Sequence, residues 1–243
     1  AGRRVWSGLE TEVRLNSSGP TGGRLLLPDG REPERVGILF LSAGSRERSE
    51  PGGANPFTGA YLKLAHQIKE QNPGVEITFF YNELNLKDAE AIHFFQNLMR
   101  QEGIDLVRLE SERPPGVMEL EGRVRMEFDD FRGRRHVQDF ELVIAAEDLS
   151  GARDISALAE SLHLPRDASG FWMTQTSRLE PINTLAEGIW AVGAARGPRD
   201  IPESVLDGQA AAGRISAHLV PGQKIVLEPL TARVELESCS GCR

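Results

Sequence analysis

Three short, almost continuously apolar runs lie in the first half of the chain, and two stretches with helical spacing separate them. The runs are Val36–Leu41, Val75–Tyr81 and Ile104–Leu109, each of the length and composition of a strand buried on both faces. Between them, apolar residues recur every three or four positions over 61–68 and 86–102. This order predicts a βαβαβ unit with a parallel sheet, and therefore an α/β fold.

The apolar pattern changes to a period of two between Val117 and Val137, where hydrophobic residues alternate with Glu, Arg and Gly. This alternation predicts an antiparallel ribbon. The run that follows it, Phe140–Ala146, is largely apolar again. We expect this last run to be a buried strand that rejoins the parallel sheet.

The two ends of the chain differ from this middle part. Residues 1–35 carry turn-forming clusters such as Asn16–Gly23 and are predicted to be loop-rich. After the sheet region, the pattern predicts a short helix at Asp154–Leu162, a compact strand at Gly188–Gly193 and a helix at Ile201–Leu219. Large hydrophobic residues become sparse beyond that helix, which indicates a connecting arm.

Composition excludes several classes of function. The formal net charge is −8, with Lys and Arg scattered along the chain, so we expect no nucleic-acid partner. No apolar run approaches the roughly 20 residues of a membrane-spanning helix. The chain opens with Ala-Gly-Arg-Arg rather than a signal peptide, and the absent initiator Met indicates an internal fragment.

The cysteines are confined to the last five residues, as Cys239 and Cys242. A disulfide framework is therefore not expected, and a cytoplasmic setting fits this usage. A lone Cys-x-x-Cys is open to three interpretations, namely half of a zinc knuckle, a redox pair or the first ligands of an iron–sulfur site.

The most informative stretch is Gly188–Val205. A strand that ends near Gly193 is followed by small residues, and Pro202 falls in the first turn of the helix that begins at Ile201. The free amides and partial positive charge of such a helix start suit an anionic partner, for example a flavin pyrophosphate or a reduced isoalloxazine ring. The alternative is a strand–turn–helix packing unit with no ligand.

This stretch resembles the closing flavin-binding motif of the heterodisulfide reductase A subunits. The matching residues occur in the same order as in that family, with Arg199 in place of the usual Lys, and they are Gly193, Gly197, Pro198, Asp200, Ile201, Pro202 and Glu203. The resemblance extends over nearly the whole chain, including Asn16–Gly23, Ala43–Arg46, Tyr61–His66 and Gly170–Trp172. It implies that these bend residues, together with Ala194, bind FAD.

The resemblance further implies a two-domain flavoprotein reductase in which a nucleotide-type domain is inserted into a partial FAD-binding domain. The expected divisions are 1–35 (flavin domain), 36–147 (NAD(P)-type domain), 148–220 (flavin domain) and 221–243 (linker and the start of a ferredoxin-like module). On this view Cys239 and Cys242 are the first ligands of an iron–sulfur cluster. Two thiolates alone do not complete such a site.

Lys63 is a candidate for stabilising the flavin. It stands on the first helix of the βαβαβ unit, where the resemblance implies that a lysine can face the ring and stabilise its reduced, anionic form. The alternative is a solvated helix lysine. His66 and His93 are interpreted as surface or packing residues.

Two departures from the family weaken parts of this picture. Ser42 occupies the position of an expected cysteine, and 55–66 supplies no thiol, so an internal iron–sulfur cluster is not expected. No Gly-x-Gly-x-x-Gly follows any predicted strand, which makes NAD binding by this unit a weak proposal and places the main dinucleotide fingerprint upstream.

The function expected from the resemblance is FAD-dependent transfer of electrons to or from iron–sulfur carriers, in a complex with other redox subunits and as an oligomer. Two alternatives remain open at this point. One is an electron-transfer scaffold that has lost catalysis, which the missing cysteines favour. The other is an NAD(P)H-dependent disulfide reductase module, against which stands the absence of a cysteine pair before residue 239.

Overall fold

A computed structural model describes most of the chain, namely residues 2–41, 57–84, 86, 89–100, 103–110, 113–147, 149–176, 179–219 and 222. Several predicted features lie outside these residues: Ser42, Ala43–Arg46, Asn55, and Cys239 with Cys242. In the described ranges, no helix is both long enough and apolar enough to cross a membrane.

A five-stranded parallel sheet organises the first part of the chain. Its elements in chain order are β1 (Val5–Ser7), α1 (Gly8–Leu15), β2 (Arg35–Phe40), α2 (Thr58–Gln71), β3 (Glu76–Tyr81), α3 (Ala89–Leu98), β4 (Ile104–Arg108) and, after the ribbon described next, β8 (Leu142–Ala145). The spatial order is β1-β8-β2-β3-β4, and every neighbouring pair is parallel. The predicted βαβαβ unit and α/β class are confirmed.

The antiparallel ribbon predicted between 117 and 137 is also confirmed. It consists of β5 (Gly116–Leu120), β6 (Arg123–Asp129) and β7 (Arg135–Phe140), paired in the order β5-β6-β7. The period of two places the even-numbered residues of β6, from Val124 to Phe128, in the protein interior. The chain then enters β8, which pairs with β2 on one side and β1 on the other, as expected of a strand that rejoins the sheet.

The parallel sheet is covered on both faces, which explains its continuous apolar strands. Residues Val36, Ile38 and Phe40 of β2 pack into a core with α2 and α3, whereas Leu39 packs on the opposite face against the ribbon. Gly37 faces the Phe140 ring on this second face, where a Cβ would lie 3.4 Å from the ring, in van der Waals contact. The order of layers is therefore helices, sheet, ribbon.

The prediction that residues 1–35 are loop-rich was wrong for the first half of that segment, which forms β1 and α1. Trp6, Leu25 and Leu27 are buried in the same core as β2 and α2. The predicted division between residues 35 and 36 thus falls inside one hydrophobic core. We call residues 2–147 the sheet unit.

The remaining described residues, 149–219, form what we call the C-terminal unit. Its elements are α4 (Arg153–Ser161), β9 (Thr174–Thr176), β10 (Glu180–Thr184), a single 3₁₀ turn (Gly193–Ala195) and α5 (Ile201–His218). A separate small core holds it together, made of Ala159, Leu164, Trp172 and Ala191. The two helices were predicted correctly, to within one residue at each end.

The compact strand predicted at Gly188–Gly193 is not formed. Trp190 forms an isolated bridge with Asn183, and the Ala191 N–H donates to the Ile182 carbonyl at 2.8 Å. A strand needs a neighbour along its length to exchange backbone hydrogen bonds, and within the described residues β10 meets this segment only briefly. The segment is therefore extended but belongs to no sheet.

Candidate functional site

The candidate site is the bend at residues 193–200, which leads from the small core of the C-terminal unit into α5. Gly193 adopts φ +55°, a conformation that glycine accepts at low cost, and the single 3₁₀ turn begins there. The Trp172 N–H donates to the Ala195 carbonyl at 2.9 Å. This bond ties the bend to the Gly170–Trp172 segment, whose Phe171 and Trp172 are buried.

The start of α5 is closed by a capping box. The Asp200 side chain accepts from the Glu203 N–H at 2.8 Å, and the Glu203 carboxylate accepts from the Asp200 N–H at 3.0 Å. Pro202 has no N–H to offer, and Ile201 is the first helical residue, so its N–H has no acceptor within the helix. The sequence predicts that free amides at this helix start bind an anion. The Glu203 amide is not free, because it already donates to Asp200 in the capping box.

The charge around the bend is mixed rather than positive. Arg196 and Arg199 pair with the carboxylates of Asp207 and Glu203 on α5, and Asp200 adds a third carboxylate at the cap. Arg199, which stands where the family has Lys, lies 3.6 Å from Glu203 and 4.0 Å from Asp207. It is therefore directed toward the helix rather than outward as a free cation.

Sequence reasoning missed the residues that hold the bend in place. The Asp207 carboxylate accepts from the Gly193 N–H at 3.0 Å and from Arg196 Nη1 at 2.9 Å. The side chains of Arg196 and Asp207 are only 5% and 13% exposed, so this is a nearly buried ion pair. No spacing in the sequence signals it, because Gly193 and Arg196 lie in the bend, Asp207 lies on α5, and they meet only in the folded structure.

The predicted bend residues form one continuous segment, and Lys63 lies on a different element. Gly193, Ala194, Gly197, Pro198, Asp200, Ile201, Pro202 and Glu203 form one continuous bend and helix start. Space is open at its centre, since a Cβ on Gly197 would meet no atom within 4 Å. Lys63 is exposed on α2 in the sheet unit, so its relation to the bend stays a prediction.

His66 and His93 lie where surface or packing residues are expected to lie. His66 pairs with Glu70 on the same helix and contacts the ring of Phe94 edge-on, while His93 is exposed on α3. Among the residues that the structure describes, no group of three or more His, Cys, Asp or Glu is arranged to hold a metal ion.

The glycines of α5 face open space in the described part of the chain. A Cβ on Gly208 or Gly213 would meet nothing within 4 Å. Large apolar side chains on the same helix, among them Ile201 and Leu206, are also exposed. In the described part of the chain, α5 packs mainly against the 3₁₀ turn and β10.

A separate cavity of about 480 Å³ lies between β10, the loop at 186–190 and the end of α5. Trp190 and Arg214 line it, and Asn183 Oδ1 is a buried atom there without a hydrogen-bond partner among the described residues. None of the bend residues 193–203 lines this cavity. The predicted site and this cavity are thus different places.

These observations define an α/β protein whose parallel sheet is interrupted by an antiparallel ribbon and followed by a glycine-containing bend and a capped helix. No model of a known protein family matches the chain. Its sequence, however, is 30% identical over 244 residues to the A-type iron–sulfur subunit of a CoB–CoM heterodisulfide reductase from Methanopyrus kandleri. It is 32% identical to the A subunit of the H₂:CoB–CoM heterodisulfide, ferredoxin reductase from Methanothermobacter marburgensis.

The chain is therefore a homologue of the heterodisulfide reductase A subunits across 98% of its length, as its sequence motifs predict. It spans 36% of the length of each of these two relatives. Among solved structures, thioredoxin reductase of Lactococcus lactis matches 76% of this chain and 52% of its own, with 17% identity and a TM-score of 0.48. The sulfide:quinone oxidoreductase of Aquifex aeolicus matches 74% of this chain and 42% of its own, with 14% identity and a TM-score of 0.47.

Proposed function

We propose that this chain is part of an FAD-dependent oxidoreductase that passes electrons between a flavin and iron–sulfur carriers, in the manner of the heterodisulfide reductase A subunits. The observation that carries the proposal is the bend at 193–200. It has the residues of the family's closing flavin motif in order, a glycine in a left-handed conformation, and open space beside Gly197. Similarity to the A subunits over 98% of the chain supports it.

The residues at the helix start favour one part of FAD over another. The carboxylates of Asp200 and Glu203 lie at the same helix end where a pyrophosphate would have to bind. Like charges this close repel, which disfavours a doubly anionic group. The Ile201 N–H and its 81% exposed side chain instead suit a ring that offers a carbonyl oxygen and an apolar face.

In this arrangement the chain binds and orients, while the bound flavin supplies the electron-transfer chemistry. The Ile201 N–H would be available as a donor to a bound flavin ring, and the partial positive charge of the helix start would stabilise negative charge there. Gly193 and Gly197 have no side chains, so a flavin ring could approach the backbone of the bend closely. Lys63 is proposed as an additional positive charge near the reduced ring.

The proposal extends to the domains and to the other cofactor. Residues 36–147 are proposed as the NAD(P)-type part of the sheet unit, with residues 2–35 sharing its core, and 148–220 as the C-terminal part of the flavin domain. Cys239 and Cys242 are proposed as the first ligands of an iron–sulfur cluster in a ferredoxin-like module that begins within 221–243. Other redox subunits are the proposed partners of an oligomer in the cytoplasm, since the relatives' names are those of subunits.

The test is to purify the natural full-length protein gently and record its absorption spectrum. We expect a flavin band in the visible region and, after acid release, about one FAD per chain. The Cys239→Ser, Cys242→Ser double variant should keep the flavin and lose the iron of one cluster, measured by iron analysis. A wild-type protein without a flavin band would refute the proposed function, whatever its iron content.

A further inference from the structure

Asp207 connects the bend to the body of α5. It lies nearly two turns after the helix start, and its two oxygens accept from opposite ends of the 3₁₀ turn. Oδ2 accepts from the Gly193 N–H at 3.0 Å, and Oδ1 accepts from Arg196 Nη1 at 2.9 Å. One carboxylate therefore fixes both where the turn begins and where it ends.

Burial makes this link strong. The Arg196 side chain is 5% exposed, so removing Asp207 would take one carboxylate away from a guanidinium in the interior. Both bonds to Asp207 involve a charged group, and such bonds are stronger than neutral ones. Ser204 Oγ additionally donates to the Asp200 carbonyl at 2.8 Å, which holds the cap itself. Asp207 thus adds to the Trp172 N–H bond to the Ala195 carbonyl, which fixes the same turn from the other side.

We infer that Asp207 is a positioning residue for the flavin, an inference that rests on the proposed function. Because both of its oxygens already accept from Gly193 and Arg196, it would act through these residues rather than on the cofactor itself. It sets the direction in which the Gly193–Arg196 turn and the Ile201 N–H face the ring. Loss of Asp207 therefore changes how the flavin is held and how its ring is surrounded, in addition to any effect on folding.

The experiment compares Asp207→Ala, Asp207→Asn and the wild type in the natural full-length protein, stripped of flavin and titrated with FAD. Asp105→Ala is the matched control, because Asp105 is an exposed aspartate on β4 in the sheet unit. We expect the Kd for FAD to rise about tenfold in Asp207→Ala, which corresponds to about 1.4 kcal/mol. Asp207→Asn, which keeps one of the two acceptors, should give a smaller rise, and Asp105→Ala none.

A second readout separates positioning from mere stability. At saturating FAD, with folding checked by circular dichroism, the absorption maxima and midpoint potential of the bound flavin should shift in Asp207→Ala and partly return in Asp207→Asn. If Asp207→Ala does not fold, the same criteria apply to Asp207→Asn. A folded Asp207 variant with the wild-type Kd, spectrum and midpoint potential would overturn the positioning role of Asp207 and leave the proposed function standing. Absence of flavin binding by the wild type would overturn the proposed function as well.

Discussion

At the residue scale, the contact among Gly8, Tyr61 and Glu147 joins α1 and α2 to the segment that follows β8. The Tyr61 hydroxyl donates to Glu147 Oε2, while Glu147 Oε1 accepts from the Leu9 N–H in the first turn of α1 at 3.0 Å. Gly8 is required by this close approach, because a Cβ there would lie 2.0 Å from the tyrosine oxygen. A carboxylate near a helix start is stabilising.

This contact shifts the titration of both groups. Burial, and then the hydrogen bond with Glu147, raises the pKa of Tyr61. Partial burial acts to raise the pKa of Glu147, but hydrogen bonds from Tyr61, Leu9 and Ser7 outweigh it and hold that pKa below its ordinary value. The ionised carboxylate therefore stabilises the fold above its unfolded-state pKa, and this contribution is lost as the pH falls through the lower, folded-state pKa.

We predict that Glu147→Gln lowers the free energy of unfolding by about 1 kcal/mol at pH 7, because the charged acceptor of two hydrogen bonds is lost. At pH 3 the difference from the wild type should be markedly smaller, since the wild-type carboxylate is then largely protonated in the unfolded chain. Urea unfolding at both pH values measures this. Glu121→Gln, in the exposed turn between β5 and β6, is the control, and an effect of Glu147→Gln that does not depend on pH would contradict the argument.

At the element scale, the end of α4 shows a left-handed cap without glycine. His163 adopts φ +56°, its N–H donates to the Glu160 carbonyl at 3.2 Å, and the Leu164 N–H donates to the Ala159 carbonyl at 2.8 Å. These two bonds are those of a Schellman motif, and Leu164 and Ala159 supply the accompanying apolar contact. A non-glycine residue in this conformation is strained.

His163→Gly should therefore stabilise the C-terminal unit by about 1 kcal/mol, seen as a higher melting temperature in calorimetry. His163→Val should destabilise it, because a β-branched side chain fits the left-handed region least well. His163→Ala separates the loss of the imidazole from the relief of strain. If Ala and Gly variants proved equally stable, backbone strain would not be the cause.

At the scale of the whole molecule, the first 35 residues belong to the sheet unit. β1 adds an edge strand beside β8, and Trp6 is 2% exposed, with its indole N–H donating to the Arg3 carbonyl at 2.8 Å. Leu25 and Leu27 are buried against the same core. Each large apolar side chain buried in this way contributes roughly 1.5–3 kcal/mol, against a typical domain stability of roughly 5–15 kcal/mol.

We predict that a fragment of residues 36–147 does not fold on its own, whereas a fragment of residues 2–147 does. The shorter piece exposes the core face that Trp6, Leu25 and Leu27 cover, and it leaves β8 without β1. Thermal unfolding followed by circular dichroism distinguishes the two. A cooperative transition in the 36–147 fragment at the temperature of the longer one would show that residues 1–35 are dispensable.

The sequence determined the elements whose stability is local or whose pattern is long. The apolar runs of β2, β3, β4 and β8, the period of two in β6 and the helical spacing of α2 were all sufficient to predict the sheet and ribbon. The start of α1 also has a sequence signal, because Ser7 and Glu10 form the Ser-x-x-Glu pattern of a helix start. In the structure the Ser7 side chain accepts from the Glu10 N–H. The turn-forming clusters that follow α1 nevertheless favoured a loop in the prediction.

Only the tertiary structure decided the features that depend on neighbours distant in sequence. Whether 188–193 forms a strand depends on a partner for its backbone, and the pairing of Arg196 with Asp207 depends on α5 folding back on the bend. The same holds for the placement of β1, a strand of three residues whose identity comes from β8, more than 130 positions later. Periodicity and spacing record local preferences, whereas these contacts arise from burial and charge brought together by the fold.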